Sequence, residues 1–186
     1  MVGTTAWLLA IFIVGVYLAS LYNQFVTLRH NVRRAWSNID VLLKQRNDEL
    51  PRLIAVCKPF IRYEQDLLEA IARARTLEIA AQASANPKRV GSAEAELRTS
   101  KAKLLAVVER YPDLKASETF SHIENRIAAL ETSLADRRTF YNETVQLNNV
   151  AVERFPGSVF ARCFGFSAAD SFHFTPINNA AGRRDV

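Results

Sequence analysis

Glycine is scarce in this chain: there are six, and none lies between Gly15 and Gly91. That scarcity disfavours turn-rich all-β folds and nucleotide sites built on glycine loops. Charge is missing from one end altogether, since all 24 Lys and Arg and all 19 Asp and Glu lie at or after Arg29. A plain soluble domain is thereby excluded. The three histidines, His30, His122 and His173, fall in separate segments, and no H-E-x-x-H, E-x-x-H or C-x-x-C spacing occurs, so no metal site is expected. Of the two cysteines, Cys57 lies on an apolar seam and Cys163 in an aromatic tail; neither a disulfide nor a nucleophilic pairing is expected. Serine-hydrolase elbows are absent for want of glycine. The expectation is a non-enzyme with no catalytic residue and no cofactor.

What the uncharged end does contain is an apolar run from Ala6 to Val26, roughly 31 Å of helix at ~1.5 Å per residue and long enough to cross a bilayer. A cleaved signal peptide is the alternative, but no Lys or Arg precedes the run and it exceeds a usual signal core. Trp7 near one end and Tyr17 and Tyr22 towards the other suit interfacial anchors, while Gly15 and Ala19 form a small-xxx-small pair. A basic collar follows, with Arg29, Arg33, Arg34, Lys44 and Arg46 against Asp40 alone. Cations on one side of the span predict an external N-terminus and a cytoplasmic C-terminal part, a periplasmic bundle being the alternative. Arg29, Arg33 and Arg34 are the candidates to touch anionic lipid head groups. Nucleic acid is not expected, because the excess charge sits where lipid must be and no base-stacking platform accompanies it.

Beyond the collar the pattern is helical throughout. Val32, Trp36, Ile39, Leu43, Arg46, Leu50, Leu53, Cys57 and Phe60 alternate steps of four and three, an apolar seam interrupted by Arg46. Tyr22, Phe25 and Arg29 extend this pattern backwards, so the span and the first bundle helix read as one rod, kinked near Pro51 and broken near Pro59. A second helix is predicted from about Arg62 to Ser84, with Glu78 among Leu67, Leu68, Ile71 and Ala74 on one side, and stopped by Asn86-Pro87. The third is predicted to start near Ser92 and to end at Tyr111-Pro112-Asp113. Ser117 is the predicted N-cap of a fourth, whose step-of-seven positions run from Phe120 to Phe155 with Arg137 between them. Four such segments joined by short Pro-marked turns fold most simply as an antiparallel bundle. The predicted class is all-α, with a transmembrane anchor (1–28), a bundle (29–156) and a Phe-rich tail (157–186).

Particular stretches then resemble a known family. Tyr22-Asn23, Leu28-Arg29, Ala35-Trp36-Ser37-Asn38-Ile39-Asp40-Val41, Leu43-Lys44, Arg46 and Leu50-Pro51-Arg52-Leu53 are similar to the signature of the LemA family of bacterial membrane proteins. Tyr111-Pro112-Asp113-Leu114-Lys115-Ala116 with Phe120, and Arg138-Thr139-Phe140-Tyr141-Asn142 with Val145, Asn148 and Phe155-Pro156, resemble its later blocks. Pro59, where the family usually has glycine, and Tyr63, where histidine is common, depart from it. The resemblance implies a single span, a small external N-terminus, an antiparallel bundle and no established enzymatic activity. It also implies a link to membrane zinc metalloproteases of the HtpX type and, in a magnetosome-associated branch, to membrane organisation.

Three sets of residues carry the remaining candidates. Trp36, Asn38, Asp40, Tyr141 and Asn142 are candidate motif or partner contacts. Phe160, Phe164 and Phe166 belong to a tail whose Phe172-His173-Phe174 alternates like a short strand; docking on the bundle, lying in the membrane interface and meeting another subunit all remain open for it. Arg46, Arg137 and Asn148, polar residues set in apolar stripes, read either as buried pairings that fix register or as an unrecognised enzyme or sensor site. The favoured expectation is a self-associating scaffold, a homo-oligomer in the bilayer.

Overall fold

The computed structural model describes residues 2–61 and 63–172. Among the described residues there are six helices and no strand: α1 Val2–Cys57, α2 Gln65–Ala83, α3 Pro87–Val108, α4 Pro112–Lys115, α5 Glu118–Glu153 and α6 Gly157–Phe164. The fold is all-α, and the apolar N-terminal stretch continues without interruption into the first bundle helix. Arg62, His173 and Phe174, on which expectations were placed, lie outside the described residues.

Helix α1 passes through Pro51 and stops at Cys57, two residues before Pro59. Proline cannot donate to the carbonyl four residues back. That carbonyl, Asn47 O, instead accepts from Arg75 Nε of α2 at 2.8 Å. At the end of α1, Phe60 N and Ile61 N both donate to Cys57 O, at 3.1 and 3.0 Å.

The start of α3 corrects the sequence reading. Asn86-Pro87 does not merely stop α2; it opens α3, five residues before Ser92. Asn86 is extended, and its side-chain oxygen accepts from Lys88 N and Arg89 N at 3.0 and 3.3 Å, with Pro87 in the first turn. Asn at the cap and Pro just inside it are the residues a helix start selects. Ser117 caps α5 as expected, accepting from Phe120 N at 3.4 Å. The single turn of α4, opened by Pro112 and burying Leu114, was not anticipated.

The chain forms two compact units. Among the described residues, one comprises Asn38–Thr139 with Ser171 and Phe172, the other residues 2–37 with Phe140–Asp170. In the first, Leu50, Leu53 and Cys57 of α1 join Leu68 and Ile71 of α2, Leu97, Leu104 and Val108 of α3, and Phe120, Ile123 and Ile127 of α5 in one apolar core. Ion pairs mark the antiparallel register of its helices. Glu94 of α3 meets Arg138 of α5, and seven residues further along α3 Lys101 meets Glu131 at 2.7 Å, seven residues back along α5. Glu64, just before α2, meets Arg110, just after α3, at 2.7 Å. In the second unit Phe25 is buried against Phe160 and Phe166, with ring centroids 5.7 and 5.1 Å apart.

Candidate functional site

Two constellations carry the chemistry-bearing side chains, one in each unit. In the first, Arg46 of α1 pairs with Glu78 of α2 and, at 3.0 Å, with Glu94 of α3, while Glu94 also takes Arg138 of α5. Each of these four helices places one charged side chain in a buried layer, and Phe172 lies over the Arg138 guanidinium at 5.0 Å. Two cations facing two anions balance formally. Burial alone would lower the Arg46 guanidinium, but Glu78 and Glu94 more than offset it and hold it above its ordinary value. Burial pushes the Glu78 carboxyl up despite the nearby Arg46. It lowers Arg138, against the pull of Glu94. Beside this layer, buried Glu49 meets Arg126 at 2.8 Å. A layer so occupied holds its charges against one another.

Arg137, singled out from the sequence, is exposed; the buried arginine is its neighbour Arg138. The inward face of α5 runs Phe120, Ile123, Ile127, Leu134, Arg138, Tyr141, Val145, Asn148, so the seam steps by four after Leu134. Asn148 has partners of its own, donating to Asn149 Oδ1 and to Ser167 O at 3.2 and 3.3 Å. Arg46 and Asn148 share no hydrogen-bond or ion-pair partner, and Arg137 is exposed. Sequence reasoning missed Glu94 and Arg138 as members of the layer. The signal for Glu78 was present, an acid inside the apolar stripe of its helix.

The second constellation is aromatic. Tyr22 meets Phe164 and Phe166 edge-on at 5.8 and 6.0 Å, and Phe160 stacks on Phe164 at 4.3 Å. Of the phenylalanines considered for a subunit contact, Phe160 is buried, Phe166 is half-buried and Phe164 is exposed. The inward face of α6 is Gly157, Phe160 and Ala161. Gly157 is required by close approach, because a Cβ there would lie 2.4 Å from Ala151 O and 3.2 Å from Phe25 Cζ.

After α6 the chain is held by side chains of α5. Asn149 brackets Ala169, donating to its carbonyl at 3.0 Å and accepting from its N–H at 2.8 Å. Tyr141 donates its hydroxyl to Asp170 O at 2.8 Å, and burial with nearby Asp170 pushes the phenol up to about 12. Trp36 packs on the Tyr141 ring at 5.5 Å. Of the other motif residues, Asn38 is exposed and Asp40 and Asn142 are half-buried.

Trp7, Gly15, Tyr17 and Tyr22 all lie exposed on α1, as do Arg29, Arg33 and Arg34. Open space surrounds the Gly15 Cα. Among the described residues no His, Cys, Asp and Glu group is arranged to hold a metal. Burial raises the Cys57 thiol to about 11, which leaves it inert near neutral pH, whereas Cys163 is exposed.

The sequence model of the LemA family matches residues 35–184. Magnetosome protein MamQ 2 of Paramagnetospirillum magneticum is 23% identical over an alignment that covers 89% of this chain and 71% of that protein. Magnetosome protein MamQ of Magnetospirillum gryphiswaldense is 22% identical, with 85% of this chain and 66% of that protein covered.

Proposed function

The chain belongs to the LemA family, and from that premise we propose that this membrane-associated helical protein is a scaffold that self-associates in the bilayer and organises a membrane patch or holds a partner membrane protein. The observation that carries this reading is α1, one helix from the apolar stretch into the bundle. No glycine or proline lies between Gly15 and Pro51, so no flexible linker separates anchor from bundle. The names of the MamQ relatives, which associate those proteins with the magnetosome, favour membrane organisation. A metalloprotease of the HtpX type is the partner suggested by the family resemblance.

Self-association is supported by α5, where Phe140 and Leu147, seven residues apart on one face, are 51% and 64% exposed. Large apolar side chains left exposed at heptad spacing suit a second helix. The collar of Arg29, Arg33 and Arg34, exposed and opposed by no cation before the span, favours a cytoplasmic bundle. The deciding measurement is the mass of the detergent-solubilised protein by light scattering, corrected for bound detergent. An oligomer reduced to a monomer by joint Phe140→Ser and Leu147→Ser substitution supports the scaffold; a wild-type monomer overturns it. Protease added outside sealed cells should leave the bundle intact, and its digestion there would reverse the orientation.

A further inference from the structure

The corner between α5 and α6 lies beside the apolar stretch that is read as the membrane span. Phe25 and Tyr22, at the C-terminal end of that stretch, are packed by Phe160 and Phe164 of α6. Phe155 and Tyr17 line one cleft of about 450 Å³. At ~1.5 Å per residue, Tyr22 and Tyr17 lie roughly 6 and 14 Å inside the end of the apolar run at Val26. Phe164, which meets the Tyr22 ring, shares the shallower of these depths.

The outer surface of this corner is apolar too. Phe155 is 78% exposed, and Val159 and Phe164 are each 57% exposed. From the end of α5 to Ala169 the charged residues are Arg154 and Arg162 against Glu153. We infer that the α5–α6 corner is a second membrane-contacting element, seated in the same leaflet as the end of the span, with Phe155 and Val159 among acyl chains and Arg154 and Arg162 at lipid phosphates. Short amphipathic helices with such a face settle at the boundary between head groups and acyl chains. A lipid leaflet is the occupant because the surface is continuous with the segment read as lying in lipid, and because Arg154 and Arg162, against Glu153 alone, leave a net positive charge that complements anionic head groups.

This inference rests on α1 crossing the membrane, and the test separates the two. Cys163 of α6 is exposed while Cys57 is buried and unreactive, so a nitroxide can be placed on Cys163 of the full chain at pH 7. The protein is reconstituted in vesicles of phosphatidylethanolamine and phosphatidylglycerol, and collision with oxygen is compared with collision with a neutral nickel chelate. Control labels, in a Cys163→Ser background, are Ile13→Cys in the span and Ala102→Cys on the exposed side of α3. The expected result is an oxygen preference at Cys163 at least threefold greater than at Ala102→Cys, lost when Phe155 and Val159 are both replaced by Ser. A Cys163 label as accessible to nickel as Ala102→Cys, with Ile13→Cys dry, overturns the corner and leaves the span standing. Shielding from both reagents with dipolar broadening between copies also overturns it, since the surface is then a protein contact. A wet Ile13→Cys overturns span and corner together.

Discussion

Replacing Pro51 by alanine tests whether a helix defect in α1 is put to use by α2. Proline in a helix interior is about 3 kcal/mol less favourable than alanine, partly because the carbonyl four residues back loses its donor. Here that carbonyl belongs to buried Asn47, and Arg75 Nε donates to it at 2.8 Å. A bond from a charged donor contributes about 1.5–3 kcal/mol, and stripping a buried acceptor of its donor costs about 1–3 kcal/mol. Arg75→Met should therefore cost about 2 kcal/mol in the wild-type chain. In a Pro51→Ala chain the restored N–H of residue 51 takes the carbonyl, so the same change should cost about 0.5–1 kcal/mol by the same reasoning. Pro51→Ala alone should stabilise by about 1–2 kcal/mol, less than the full propensity difference. Urea unfolding of the four proteins in detergent, followed by circular dichroism, gives the cycle. The expected coupling of about 1–1.5 kcal/mol exceeds the ~0.3–0.5 kcal/mol scatter of independent sites. An equal cost of Arg75→Met in both backgrounds would refute the link through Asn47.

Three further perturbations address the buried layer and α6. Arg46→Leu leaves Glu78 and Glu94 buried without their shared cation, a loss of about 3–5 kcal/mol that should lower Tm by about 6–20 °C; a fall under about 4 °C would show that the layer is not a coupled unit. Glu78→Gln tests the direction of its titration. Burial raises the folded carboxyl above its ordinary 4.5, so the stability it contributes is full below about pH 4.5 and is lost as pH rises through the folded value. Wild-type stability minus that of Glu78→Gln should therefore decline with rising pH, and an increase would mean that Arg46 outweighs burial. Gly157→Ala places a methyl against the Ala151 carbonyl and should destabilise the docking of α6 by about 1–3 kcal/mol. Amide exchange in residues 158–166 should accelerate while that in α2 and α3 stays unchanged; unaltered exchange in α6 argues against the close contact.

The sequence made the helical architecture legible where one signal dominated. The α1 seam of period 3.5, with neither glycine nor proline from Val16 to Leu50, admits little but a long helix. The α2–α3 turn was harder, because proline ends one helix and begins the next with equal ease. Only the Asn86 side chain, capping Lys88 and Arg89, distinguishes a start from a stop. Placing the start at Ser92 also hid Glu94: as a first-turn acid it reads as surface, whereas in a helix from Pro87 it shares the inner face with Val90 and Leu97. The choice between Arg137 and Arg138 turned on helical phase. Neighbouring helical positions differ by about 100°, and the sequence contains both a seven-residue step through Arg137 and a four-then-three step through Arg138.

What no single-helix pattern contains is the register between helices, and the buried layer specifies it. Moving α3 by seven residues preserves its apolar stripe, so burial alone discriminates weakly between the two alignments. The charges discriminate strongly, because that slip brings Lys101 to the place of Glu94, facing Arg46 and Arg138. Three buried cations would then face one carboxylate, Glu78. A slip of α2 by the same amount offers Arg46 either Ile71 or Ala85 in place of Glu78, leaving the guanidinium with Glu94 alone. Breaking a buried pair costs about 3–5 kcal/mol, a large share of the ~5–15 kcal/mol that separates folded from unfolded chains. The layer thus disfavours slipped alignments of α2 and α3 that their apolar faces alone would tolerate.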